Sequence, residues 1–294
     1  MGFFAGAQND TIKNIMKEIR TDLHLHTYYS DGLLSPAEIV REAKSNGVGL
    51  FAVTDHDCAL AYQEVKTLAE SAGLKTVAGI EISAYVGDVK IHTLGYGIDE
   101  NCGLFKKFLE ELYEGSLKRA DDIISKLNKN GVAVTLEEVR AYAHSPLSPV
   151  HSMHIAYTCA KKGYAEGNPF AFFNNYLAYG KCAYSCICRP EPERTVEIIN
   201  ACGGFSSLAH PGRIDMPAGQ LKALVKKLTN CGLGGIEAVY SAHTVTETAY
   251  YKEMAKAYGL TVTGGSDTHL IGRNRKVGTP VFYADGALLG KLGI

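Results

Sequence analysis

Nine side chains able to bind a metal recur along this sequence beside strand-like segments. His24-Leu25-His26 closes the first such segment. Side chains at i and i+2 of a strand point to one face, so both imidazoles reach a common point. Asp31 follows in the next loop, and His56 ends the second segment within Asp55-His56-Asp57. Glu81 lies in Gly79-Ile80-Glu81-Ile82, His92 in the fourth segment, and His210 ends a later one within Ala209-His210-Pro211-Gly212-Arg213. Asp267-Thr268-His269 ends the last, again with i, i+2 spacing. In α/β sheets and barrels, sites form at the C-terminal ends of strands, and the expectation is that all nine fall there. Six histidines and three carboxylates are too polar to be buried independently of one another. A donor set of N and O without thiolate suits Mn, Fe or Zn. Nine ligands exceed the needs of one ion. Three ions sharing one carboxylate use the whole set and leave positions open for water and substrate, which is the catalytic arrangement.

The elements that must carry these residues alternate in type. A helix-like lead spans 11–19, followed by a strand at 20–27. Ser35-Pro36-Ala37-Glu38 opens a helix with a capping box and a proline at its first position, and Gly47 ends it. A strand at 50–54, a helix at 59–72 and strands at 76–85 and 89–95 follow, the last two joined by a tight turn at Gly87-Asp88. This β-α-β-α-β order predicts a parallel sheet or an α/β barrel. From 102 to about 181 the chain reads as successive helices, one of them opening on Thr135-Leu136-Glu137-Glu138. Alternation resumes at Glu193, with strands at 205–209, 235–240 and 260–264. The expected organisation is therefore a barrel built from 1–101 and 193–294, with a helical insertion over 102–192.

Composition narrows the class. Of 294 residues, 46% are hydrophobic and 21% charged, which excludes a disordered or fibrous chain. Thirty basic side chains against thirty-one acidic ones argue against a protein that lives on nucleic-acid charge. No apolar run approaches the ~18 residues of a membrane span. Met1 to Asp10 lacks the charged and apolar regions of a secretory signal, so a cytoplasmic location is expected. Eight cysteines are thinly spread, and a disulfide framework is not expected; Cys182, Cys186 and Cys188 read as small buried hydrophobes.

The pieces DLHLHTYYSDG, VTDHD, GIEIS, IHTLGY, LAHPGR and GSDTH, in this order, resemble the PHP (polymerase and histidinol phosphatase) superfamily of metal-dependent phosphoesterases. The resemblance runs from Thr21 to about Thr279. It implies a distorted TIM-like barrel of seven β/α units with two to three divalent ions at its C-terminal mouth. The first ion would take His24, His26, Glu81 and Asp267; the second would share Glu81 and add His92 and His210; the third would take Asp31, His56 and His269. The insertion further resembles a branch of small phosphatases acting on nucleoside phosphates, including 3′,5′-bisphosphates, some of which are 5′→3′ exoribonucleases. Arg119, His154-Ile155-Ala156 and the stretch Glu237-Ala238-Val239-Tyr240-Ser241-Ala242-His243 carry that likeness. One departure stands out: the branch usually has arginine two residues before the histidine at 154, where this chain has Ser152, with His151 beside it.

The chemistry expected on that basis is hydrolysis of phosphate monoesters by a hydroxide bridging two metals ~3.5–4 Å apart. A third ion and Arg213 would hold the nonbridging oxygens, and His243 or His154 would protonate the leaving alkoxide unless they serve in helix capping or packing. Asp22, Asp55 and Asp57 are expected to orient imidazoles. Arg119 is expected to meet a second phosphate, with Arg213 and His243 also binding substrate; Lys118 and Lys161 are further candidates there but read singly as solvated helix-face charges, and a base is expected to stack on Tyr240 or Phe170. The expected partner is a small phosphorylated substrate, a mononucleotide or short oligonucleotide. No duplex nucleic acid, membrane or obligatory protein partner is implied. The alternatives are a histidinol-phosphate phosphatase, a strict exonuclease and a non-catalytic metal-binding module.

Overall fold

The structure, a computed structural model, describes residues 18–270, 272 and 276–294. The lead expected at 11–19 falls outside these but for Glu18 and Ile19, and Ile19 already opens the first strand, β1 (Ile19–Leu25). The remaining strands are β2 (Leu50–Val53), β3 (Lys75–Val86), β4 (Val89–Tyr96), β5 (Phe205–Leu208), β6 (Gly235–Tyr240), β7 (Thr261–Gly265) and the short β8 (Tyr283–Ala284). They lie in the order β7-β6-β5-β4-β3-β2-β1-β8. The sheet also closes on itself: Leu25 bridges Thr268 in parallel, and the Asp267 N–H donates to the His24 carbonyl at 2.8 Å. The fold is thus the α/β barrel expected, with β8 added antiparallel on β1.

The barrel is not a uniform parallel one. β4 runs antiparallel to both β3 and β5, because Gly87 (φ 58°) turns the chain straight back on itself. Glu81 and His92 therefore sit inside the β3–β4 hairpin and not at C-terminal strand ends, which corrects the expectation for those two residues. β3 outruns β2, and Glu81 pairs with His56 just beyond the last β2–β3 pair, Val53 with Ala78. The hairpin thereby raises its two side chains to the height of the other strand ends.

Helices on the outside follow from caps and apolar stripes. In α1 (Pro36–Ser45) the Ser35 hydroxyl accepts the Glu38 N–H at 3.2 Å, while Glu38 accepts the Ser35 N–H at 2.8 Å. Ile39, Val40 and Ala43 of this helix and Val65 and Ala69 of α2 (Tyr62–Ala72) pack on Phe51 and Val53. The segment expected as a helical insertion contains α3 (Gly103–Lys129), α4 (Leu136–Arg140), α5 (Ser152–Lys161) and α6 (Pro169–Phe172), the last running on as a π turn to Leu177. Among its described residues there is no strand. Ile123, Leu127, Val139, Ile155 and Phe172 form a core of their own within it.

The cysteines depart from expectation. Cys102, which caps the start of α3, is joined by a disulfide to Cys202, which caps the end of α7 (Pro192–Ala201). The two are brought together because the chain leaves and rejoins the barrel at one place; the Asp99 N–H donates to the Cys202 carbonyl at 3.0 Å. Cys182 and Cys188 are exposed and so are not the buried hydrophobes expected. Among the described residues, no helix is long and apolar enough to cross a membrane.

The seam between β7 and β1 tolerates no side chain. A Cβ on Gly265 would lie 2.3 Å from the Cβ of His24. Gly265→Ala is expected to destabilise the fold by about 1–3 kcal/mol, the usual cost of overpacking, and to displace His24. An unchanged urea midpoint would contradict this packing.

Candidate metal centre

All nine expected ligands converge at the barrel mouth. The Glu81 carboxylate is at the centre: its Oε1 lies 2.6 Å from His92 Nδ1 and 2.9 Å from His210 Nε2. Its Oε2 lies 3.1 Å from His24 Nε2, 3.2 Å from His26 Nε2 and 3.0 Å from His56 Nδ1. Asp267 Oδ1 approaches His26 Nε2 and His269 Nδ1, each at 3.3 Å. Asp31 Oδ1 is 3.2 Å from His269 Nε2 and 4.0 Å from His56 Nε2. Three groups have ligand atoms mutually within 4.8 Å: His24, His26, Glu81 and Asp267; His26, Asp31, His56 and His269; and His56, Glu81 and His92. The first matches the set expected for one ion. His26 and His56 each appear in two groups, so the partition is less clean than the expected one.

The residues fit divalent ions. His24 Nε2, both ring nitrogens of His26, His56 Nδ1, His92 Nε2, His210 Nδ1, Asp31 Oδ1 and Glu81 Oε2 are buried without a hydrogen-bond partner. Leaving so many polar atoms unsatisfied costs about 1–3 kcal/mol each, and coordination by nitrogen and oxygen would satisfy them together. Burial opposes charge on His24 and His26. For His24, Glu237, Glu81 and Asp267 outweigh it and raise the pKa well above the ordinary value. For His26, Asp267 and Glu81 raise it to about 9. Burial wins at His56 and at His92, whose pKa falls to about 3 despite Glu81. Burial would raise Glu81, yet the surrounding imidazoles hold it well below the carboxylate range. His210 (φ 24°) and Asp267 (φ 53°) adopt left-handed backbone conformations that non-glycine residues rarely take, which localises strain at the site.

The supporting shell differs from the expected one. Asp22, Asp55 and Asp57 hold backbone in place and do not orient imidazoles. Asp22 accepts the Ser266 N–H at 2.9 Å and the Gly278 N–H at 2.7 Å. Asp55 accepts the Thr27 N–H at 2.7 Å and the Ser30 hydroxyl at 2.6 Å. Asp57 accepts the Ser83 N–H at 2.8 Å and pairs with Arg189. The carboxylate that does steer an imidazole is Glu237: its Oε1 is 2.9 Å from His24 Nδ1, and its Oε2 accepts the His210 N–H at 2.8 Å. Its signal in the sequence was a lone acid inside the otherwise apolar strand β6.

His154 and His243 are corrected as proton donors to a leaving group. His154 Nδ1 accepts the His151 N–H at 3.2 Å, and its Nε2 donates to the Ser30 carbonyl at 2.7 Å. His243 Nδ1 donates to the Ala238 carbonyl, and Nε2 accepts the Gly212 N–H, both at 3.1 Å. Both rings serve backbone, and neither lines the cavity over the cluster. Tyr240 is no stacking platform either. It is buried, donates its hydroxyl to Asp267 Oδ2 at 2.7 Å and accepts from Arg213 at 2.9 Å. Lys118 and Lys161 are exposed and lie outside the cavity lining.

That cavity, of about 900 Å³, extends from the cluster to the insertion, where Arg119, His151, Ser152, Phe170 and Phe173 line it. Arg213 lies at the mouth with its side chain half exposed. Arg119 is buried and donates to the Ser185 carbonyl at 2.8 Å and to the Ser152 hydroxyl at 2.6 Å.

The PHP domain family model matches residues 22–164. Over 258 residues the chain is 31% identical to the 3′,5′-nucleoside bisphosphate phosphatase of Chromobacterium violaceum, a match covering 87% of this chain and 90% of that one. The chain belongs to the PHP family. It is also 31% identical to the 5′-3′ exoribonuclease Rnm of Escherichia coli, over 84% of each chain. Among solved structures, an amidohydrolase from Chromobacterium violaceum with bound sulfate and no metal superposes with a TM-score of 0.81 at 29% identity, covering 90% of this chain and 91% of that one. Membership in this family makes the chain a metal-dependent phosphoesterase.

Two outcomes follow for metal loading. His26, with its pKa near 9, must lose its proton to become a ligand, so Mn binding releases protons at pH 7 and apparent affinity climbs until about pH 9. Affinity that is flat between pH 7 and 9 in a titration would refute this account of His26. Glu237→Gln keeps the shape but removes the charge behind His24 and is expected to weaken metal binding by roughly 10–100-fold, read by equilibrium dialysis.

Proposed function

We propose that this enzyme hydrolyses phosphate monoesters of small nucleotides, using two or three divalent ions (Mn, Fe or Zn) held by His24, His26, Asp31, His56, Glu81, His92, His210, Asp267 and His269. The observation that carries the reading is that seven of these residues line one end of a cavity, with His24 and His26 buried behind Glu81 and Asp267, while its other walls offer arginines and aromatic rings. Ions bound there would supply a water made nucleophilic at neutral pH and positive charge for the phosphoryl oxygens.

The chain's own residues supply the rest. Arg213 presents a guanidinium fork to two phosphoryl oxygens, and the Tyr240 hydroxyl fixes its orientation. Tyr240 simultaneously holds Asp267, so substrate binding and ligand geometry share one phenol. His151 lines the cavity with its Nε2 unpaired; burial lowers its pKa well below the ordinary value, which suits a neutral hydrogen-bonding group and not a proton donor. Phe170, 39% exposed on the insertion, offers a face for a base. The segment 102–192 thereby acts as a substrate cap on the barrel formed by 1–101 and 193–294.

A second reading, removal of nucleotides from an end of short oligoribonucleotides, is favoured by the similarity to a 5′-3′ exoribonuclease. Phosphate release with Mn, screened over nucleoside mono- and bisphosphates and histidinol phosphate, tests the main reading, and a labelled oligomer tests the second. Nucleotides are expected to be the best substrates, and a clear preference for histidinol phosphate would overturn the proposal. Asp267→Ala is expected to reduce both metal content and phosphate release to background; undiminished turnover would remove the cluster from the chemistry.

A further inference from the structure

The loop that carries Asp31 is gripped from two sides. From the barrel, Asp55 accepts the Thr27 N–H at 2.7 Å and the hydroxyls of Thr27 and Ser30, each at 2.6 Å. Gly32, which follows Asp31, presses so closely on the end of β1 that a Cβ there would lie 2.6 Å from the His26 carbonyl oxygen. From the insertion, His154 donates its Nε2 proton to the Ser30 carbonyl at 2.7 Å. The exposed His144 ring also stacks on Tyr28, with centroids 3.6 Å apart. Ser30 directly precedes Asp31. Three residues further on, the Leu33 N–H donates to the His269 carbonyl at 2.7 Å. A shift of this loop therefore moves Asp31 and His269 together, and both belong to one four-residue group of candidate ligands, His26, Asp31, His56 and His269.

The grip of His154 is well defined. Its Nδ1 accepts the His151 N–H at 3.2 Å, and burial favours the neutral ring, so the single ring proton sits on Nε2 and points at Ser30. His154 is 4% exposed, and breaking this contact would strand a buried donor and a carbonyl. The start of α5, which carries His154, is in turn fixed to α3. The Val150 N–H donates to the Ser116 hydroxyl at 3.1 Å, and Arg119 donates to the Ser152 hydroxyl at 2.6 Å. A continuous set of hydrogen bonds thus runs from α3 through the start of α5 to the peptide beside Asp31. We propose that His154 is a positioning residue: by holding the Ser30 carbonyl it sets Asp31 and His269, so the group His26, Asp31, His56 and His269 reaches full metal affinity only with the insertion docked on the barrel. This rests on the metal-centre reading above and adds that the insertion completes one of its sites. Coupling of this kind is reciprocal, so an ion bound there strengthens docking.

The test follows stepwise Mn binding to the full chain by calorimetry and metal analysis. Asp31→Ala identifies the binding step that belongs to this group. His154→Asn keeps an acceptor for the His151 N–H but is too short to reach Ser30, whereas His154→Gln can return an amide donor to the Nε2 position. His154→Asn is expected to weaken the Asp31-dependent step by about tenfold or more and to leave the other steps unchanged, and His154→Gln to recover most of the loss. Circular dichroism of each variant confirms the fold. A second measurement needs no variant: in the wild type, Mn is expected to slow hydrogen exchange at 150–154 as well as at 30–33. Full affinity in His154→Asn, an equal loss at every step, a failure of His154→Gln to recover, or protection by Mn that stops short of 150–154 overturns the proposal. A wild type that binds no Mn would sink the metal-centre reading itself, and this inference with it.

Discussion

One carboxylate organises the mouth of this barrel. Glu81 is buried against five imidazoles carried on or just beyond β1, β2, β4 and β5, and each of its oxygens faces more than one of them. A buried negative charge is tolerable only where positive charge or strong donors surround it, and a crowd of imidazoles is tolerable only around such a charge. Removing either side leaves the other stranded. The cluster is therefore a collective arrangement, in which each side chain is held by the requirement to satisfy its neighbours.

The surrounding structure exists to keep that crowd in register. Glu237 spans the ends of β1 and β5 by holding one imidazole and one backbone amide. Asp22 spans β1 and the segments after β7, and Asp55 fixes the loop that carries Asp31. Gly265 lets β7 come close enough to β1 for the mouth to close. The inverted β4 serves the same end, since only a hairpin can bring Glu81 and His92 up beside the other strand ends.

Much of this was legible in the residues. The i, i+2 pairs His24/His26 and Asp267/His269 announced a shared face, and the capping boxes at Ser35 and Thr135 placed their helices well. What was hidden depends on long-range packing. Asp55 and Asp57 flank His56 in sequence, but Asp55 turns to the Thr27 and Ser30 loop, and Asp57, in a left-handed conformation, turns to the Ser83 N–H and Arg189. Glu237 shares no pattern with the nine candidate ligands, so its link to His24 required the fold. His154 and His243 have the right chemistry for proton transfer, and only the hydrogen bonds to both ring nitrogens show that the backbone already uses them. Cys102 and Cys202 lie 100 residues apart, and nothing local pairs them.

The closure of β1 on β7 has a consequence for biosynthesis. It places His24 and His26, the first of the nine candidate ligands in the chain, against Asp267 and His269, the last of them. A nascent chain holds no finished cluster until almost all of the described sequence has been translated. Ions loaded earlier would sit in an open half-site. Assembly of the cluster for that reason requires the chain through His269.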